Sequence, residues 1–246
     1  MSTAILTLPR RRFSDSDLLL ILIWGAMLTL SVAMPNLHGL LPILGAGGVL
    51  ILRSAIGEPD SSGLVLAVLM PVFGVASGFA FNAVTKLTPL TYDVQLARLD
   101  MGVAPWVRSF ALSQGWIMAL LVTAYKALPE TILIAVAFTA ARTRRKLIGA
   151  MYLGSFLCLV WYLILPAVGP AHVGDPSAPR NCMPSMHLTW ALLMYTNSRG
   201  WMRWPTGAFV GLTALATLAT GEHYLPDLIA ALPWAWTLNR LAARFA

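Results

Sequence analysis

Eight stretches of the chain are apolar along most of their length: 18–34, 39–54, 63–84, 115–141, 147–166, 184–198, 205–221 and 225–239. Crossing the hydrocarbon core of a bilayer takes roughly 20 apolar residues in a helix. The second stretch and the last three are short, and they fit only if the bilayer thins or flanking side chains snorkel. The pattern predicts an all-α fold, a polytopic membrane helix bundle of about eight transmembrane spans. Within the second stretch, Gly45–Ala46–Gly47–Gly48 reads either as a close helix contact between small residues or as a flexible break.

The segment 87–113 follows a different rule. Tyr92, Leu96, Leu99, Val103, Trp106 and Phe110 recur every three or four residues, with Asp93, Gln95, Arg98, Asp100 and Arg108 between them. That period is helical and amphipathic. The polar face is too charged to cross lipid, so the segment reads as an outer interfacial helix, kinked near Gly102 and Pro105.

Composition sharpens the class. Hydrophobic residues make up 58% of the 246 positions and charged residues 11%, against about 25% charged in soluble domains. The net charge of +7 is gathered in short clusters: Arg10–Arg12, Arg142 to Lys146, Arg199 with Arg203, and Arg240 with Arg244. No single basic stripe forms, which argues against nucleic acid as a partner. Under the positive-inside rule, eight spans with both termini in the cytoplasm put every cluster inside. Splitting 115–141 at Lys126–Pro129 into a ninth span would place Arg10–Arg12 and the 142–146 cluster on opposite sides. The N-terminal apolar stretch is long for a cleaved signal and reads as a retained signal anchor. The short loops favour a bacterial inner membrane.

All four histidines, His38, His172, His187 and His223, then fall at the outer face, toward a periplasm or lumen. Two segments there carry chemistry. In Pro184–Ser185–Met186–His187, the proline suits a first helical turn, and free N–H groups with the Ser185 hydroxyl form an anion site. Arg180 adds a forked donor for phosphate oxygens. In Gly221–Glu222–His223–Tyr224–Leu225–Pro226–Asp227, His223 and Asp227 share one helix face. A carboxylate on one imidazole nitrogen fixes the tautomer and leaves the other as nucleophile or base. Cys158 lies in an apolar run and Cys182 in a polar loop, which argues against a disulfide, and the sequence has no zinc-type Cys–His spacing.

The order Pro-Ser-x-His then His-x-x-x-Asp, with 35 residues between the histidines, resembles the type 2 phosphatidic acid phosphatase superfamily. Met186 within the first motif, His223–Tyr224, and the run from Tyr162 to Pro170 (YLILPAVGP) resemble its inositol phosphorylceramide synthase-like, inositolphosphotransferase branch. The resemblance spans roughly residues 90–240 and divides the chain into a three-span region, 1–86, and a catalytic membrane domain, 87–246. It implies a phosphohistidine intermediate on His223, with Asp227 orienting it and His187 as acid and base. Phosphate would be held by Ser185, Arg180 and His172. The implied substrate is a lipid phosphoester drawn from the membrane lipids, with water or a polyol or sugar hydroxyl as acceptor; no cofactor and no metal are implied. Two family features are absent: the leading Lys…Arg-Pro motif, and the Ser-Arg pair ahead of the second histidine, where Ala216–Thr217 stands.

Two rival readings come from other classes. Lys126 and Glu130 form a candidate intramembrane ion pair of the kind that marks proton paths in transporters. The outer histidines with Asp227 are candidate ligands of a metal-dependent hydrolase.

Overall fold

The computed structural model describes residues 15–33, 44–45, 47–49, 51 and 62–245, so His38 and Arg10–Arg12 lie outside the described residues. Ordered secondary structure among these residues is helical. The longer helices are α1 (Asp15–Ala33), α2 (Ser62–Leu87), α3 (Asp93–Asp100), α4 (Val103–Ser113), α5 (Gly115–Lys126), α6 (Leu128–Ala137), α7 (Ala141–Ile164), α8 (Met186–Asn197), α9 (Arg203–Thr220) and α10 (Leu225–Ala242).

Among the described residues, α7 alone is a single helix long and apolar enough to cross a bilayer by itself. At 1.5 Å per residue its 24 residues reach about 36 Å. Two of the other expected spans, 184–198 and 115–141, are shortened or divided for local reasons. The stretch 184–198 yields only the 12 residues of α8, stopped by extended backbone at Ser185 and Ser198. The stretch 115–141, expected as one span, is divided into α5 and α6 at Ala127. Hydrogen bonds from Ala127 N–H to the Thr123 carbonyl and from Thr131 N–H to the Ala127 carbonyl carry the ladder across that joint. Pro129, in the first turn of α6, has no N–H to contribute. The Lys126–Glu130 pair expected across the same joint does not form: Lys126 is exposed and Glu130 Oε2 is buried without a partner.

The core lies where α6, α7, α8 and α10 meet, around the fully buried Leu133, Val136, Leu147, Leu193 and Leu238. Helices α7 and α10 approach closely at Gly154, where a Cβ would stand 2.7 Å from Leu238 Cδ1. Helix α9 packs on α4, α5 and α8. At the other end of the molecule, Phe138 meets Trp201 edge-on and Gly149 borders Ala242. The basic groups around 142–146, 199–203 and 240–244 therefore share one end of the bundle. In the N-terminal region, Trp24 of α1 donates to the Leu44 carbonyl at 3.1 Å, and its ring fills the space a Cβ would need at Gly48. That supports the contact reading of the small-residue stretch.

The amphipathic segment is helical, with Asp93, Leu96 and Asp100 turned into the protein and Gln95 and Arg98 exposed. It breaks at Met101 and Gly102, whose φ angles are 52° and 81°, and Pro105 sits in the first turn of α4 rather than at a kink. Leu99, Trp106 and Phe110 are exposed, while Asp93 and Asp100 are buried. Helices α4 and α5 then meet at 118°.

Candidate active site

The second motif is shaped by the end of one helix and the start of the next. Gly221, at φ 78°, caps α9, and the Thr217 carbonyl accepts the N–H groups of Glu222 and His223. Extended Tyr224 begins α10, with Pro226 in its first turn. Asp227, third in the helix, accepts the Tyr224 N–H at 2.7 Å. The chain is thus pinned on both sides of His223. Its Nδ1 stands 3.6 Å from Asp227 Oδ2, just beyond hydrogen-bond length, and both side chains are buried.

The first motif starts α8. Ser185 is its N-cap and accepts the Leu188 N–H, so Pro184 precedes the helix instead of standing in its first turn. The Ser185 N–H donates to the Asp227 carbonyl at 3.2 Å, tying the two motifs together. His187 lies on the opening turn, stacked on Tyr125 with ring centroids 4.0 Å apart. The His187 and His223 rings are 6.4 Å apart, so residues distant in sequence are brought to one place.

The expected phosphate-binding residues are placed unevenly. Ser185 is fully buried, and its hydroxyl serves the helix cap. Arg180 is buried, with Nε donating to the Thr88 carbonyl and Nη1 to the Ala178 carbonyl. Its other terminal nitrogen is uncommitted. His172 Nε2 meets Glu222 Oε1 at 3.1 Å, each about one-third exposed, beside the His223 segment. Gly169 is required in that loop: its φ is 88°, and a Cβ would come 2.3 Å from the Glu222 carbonyl oxygen.

Several residues here are not marked as part of the site by a linear reading. Cys182 is buried and free, and it donates to Asp227 Oδ2 at 2.8 Å with its sulfur 3.5 Å from His223 Nδ1. Burial and the Asp227 charge push its thiol pKa up. Its one clue is position, two residues before Pro184. Asp93 accepts N–H groups of Val168 and Gly169 and the Tyr224 hydroxyl, whose pKa burial and that carboxylate raise. Asp100 accepts the Ala104 N–H at 2.9 Å and the Leu225 N–H at 2.7 Å, so it caps both α4 and α10. Arg108 of α4 donates to the Thr220 carbonyl. Cys182 Sγ, a His223 ring nitrogen and an Asp227 oxygen lie within 4.8 Å of one another, a set of donors able to hold a metal ion.

Among known proteins, no curated protein and no solved structure matches the chain. A family model does, over residues 96–240, which is more than half of the sequence and includes both motifs and Asp100. That family acts on phosphate esters of lipids, generally as phosphatases, and its members are usually membrane-associated. The chain belongs to the PAP2 superfamily.

Proposed function

We propose that the chain is a membrane-embedded enzyme that breaks a lipid phosphoester through a phosphohistidine on His223 and passes the phosphoryl-bearing group to a hydroxyl acceptor. The observation that carries this reading is the pairing of two histidine rings, 6.4 Å apart, with the buried Asp227 carboxylate behind one of them. Asp227 at Nδ1 leaves Nε2 of His223 to attack phosphorus. A P–N bond forms as the P–O bond to the leaving alcohol breaks, and His187 gives that oxygen its proton. In the second half His187 takes a proton from the acceptor hydroxyl, whose oxygen displaces His223. Charge gathering on the phosphoryl oxygens would be met by the N–H groups that open α8 and by Arg180 and His172, after small side-chain movements.

Two apolar grooves give a lipid tail a sideways path to these groups. One is lined by Trp161, Met183, Pro184, Pro233 and Trp234. The other, between α2 and α7, ends at Met186 and Trp190. Both open beside the first motif. In this reading the active site faces the periplasm or lumen, and the basic end faces the cytoplasm. The catalytic domain is 87–246, and about eight crossings are completed by short and broken helices.

A transferase is favoured by the branch resemblance of residues 162–170, 186 and 223–224; hydrolysis uses the same residues with water as acceptor. Purified protein supplied with polyprenyl, glycerolipid and sphingolipid phosphoesters, with and without polyols, separates the two. A phosphorylated polyol marks a transferase and free phosphate a phosphatase. No product from any donor sinks both.

A further inference from the structure

The two histidines of the site are held in different ways. His223 is pinned by its own loop and backed by Asp227. Among the described residues, no hydrogen bond fixes the His187 side chain. Its contacts are with rings: Tyr125, with centroids 4.0 Å apart and planes 15° from parallel, and His223 at 6.4 Å and 62°. The outer torsion of a histidine is broad, so a ring without a bonded partner can turn its nitrogens out of line. A flat neighbour laid along one face removes that freedom and leaves the edge nitrogens open.

Tyr125 reaches this place from outside both motifs. It stands in the last turn of α5, two residues before the division at Ala127. Its ring packs against a cluster that includes Ala111, Ala216 and Ala219, all buried. Ala216 and Ala219 carry no bulk beyond Cβ, so α5 comes close enough to α9 to lay the ring on His187 of α8. Glu222 and Cys182 lie within electrostatic range of the phenol, so the residue borders the second motif as well.

We propose that Tyr125 is a positioning residue for His187. Its ring holds the imidazole plane so that one edge nitrogen lies in line with the leaving oxygen in the first half-reaction and with the acceptor hydroxyl in the second. A ring face attracts a cation, so the stack persists when His187 carries its second proton. The tyrosine itself gains and loses no proton. This role rests on the acid and base steps assigned to His187 above.

Purified full-length protein turning over an alkyl phosphoester donor separates this role from a merely structural one. Tyr125→Leu is expected to lower kcat about 10-fold, the scale of a displaced catalytic group, with KM changed by less than about threefold. Tyr125→Phe keeps the ring and is expected to restore kcat. In a His187→Ala background, Tyr125→Leu should cost nothing further, because the residue acts through that imidazole. With a nitrophenyl analogue of the donor, whose leaving group departs without a proton, the first-turnover burst in Tyr125→Leu should keep the wild-type rate. Should Tyr125→Leu fail to fold, NMR of the wild type and Tyr125→Phe keeps the question answerable. The His187 ring proton, identified by its loss in His187→Ala, is expected upfield of the other histidines under the ring current of the aromatic face. Unchanged kcat in folded Tyr125→Leu, equal losses in Tyr125→Phe and Tyr125→Leu, additive losses with His187→Ala, a slowed nitrophenyl burst or an unshifted His187 proton would each overturn the inference alone. Unchanged turnover in folded His187→Ala would overturn the acid and base reading, and this role with it.

Discussion

Asp227 and the pair Asp93 and Asp100 are all buried carboxylates in the same half of the molecule, yet their surroundings differ. Asp93 and Asp100 spend their oxygens on backbone N–H groups and one phenol, with both oxygens of each engaged. Asp227 has one oxygen shared between a thiol and the Tyr224 N–H, a histidine 3.6 Å away, and a second oxygen with no partner. A carboxylate satisfied by backbone holds a fold together; one left incompletely satisfied at the same depth is available for chemistry. The difference separates scaffold from site without reference to any motif.

Substitutions should follow that division. The largest effect belongs to the site: His223→Ala is predicted to lower turnover by more than about 1000-fold while circular dichroism and thermal unfolding stay near wild type, as expected for loss of a covalent nucleophile. Turnover near wild type in a folded His223→Ala protein rejects the role. Next, His187→Ala is predicted to cost about 100-fold or more in turnover, the scale of a lost general acid, again in a folded protein. The scaffold carboxylates should behave in the opposite way. Asp100→Ala leaves the Leu225 and Ala104 N–H groups without their acceptor and is predicted to destabilise by about 2 kcal/mol. Its turnover per folded molecule should fall much less than in the histidine variants. Denaturant unfolding alongside active-fraction assays checks this; unchanged stability with abolished turnover would move Asp100 into the site. The smallest effect is expected at exposed Ser177. Ser177→Cys should leave turnover unchanged and react with an impermeant thiol reagent in intact cells, and reaction only after permeabilisation would put the site on the cytoplasmic side.

The same comparison explains what could be read from the sequence. Both histidines and Asp227 are legible because their partners lie one helical turn away or in a short motif. The period of α3 and α4 is equally plain, and the seven-residue spacing puts Asp93 and Asp100 on one face. What faces them is not legible, because the Val168 and Leu225 N–H groups come from 75 and 125 residues along the chain. Without those donors in view, the two carboxylates read as solvent-facing although they are buried. Cys182 fails for a similar reason, lying 41 residues from His223 in sequence and 3.5 Å from it in space. The expected span 115–141 is divided because hydropathy continues through Ala127, where one helix ends and the next begins.

The central claim is that phosphorus becomes bonded to His223. Purified protein is incubated with a phosphate-labelled lipid donor that it turns over, quenched in alkali, and mapped by peptide mass. The account predicts an alkali-stable, acid-labile phosphoryl group on the peptide containing His223, at a level that rises in His187→Ala if loss of that base slows the second half-reaction more than the first. Label on another residue, or turnover with no trapped phosphohistidine in either protein, would contradict it.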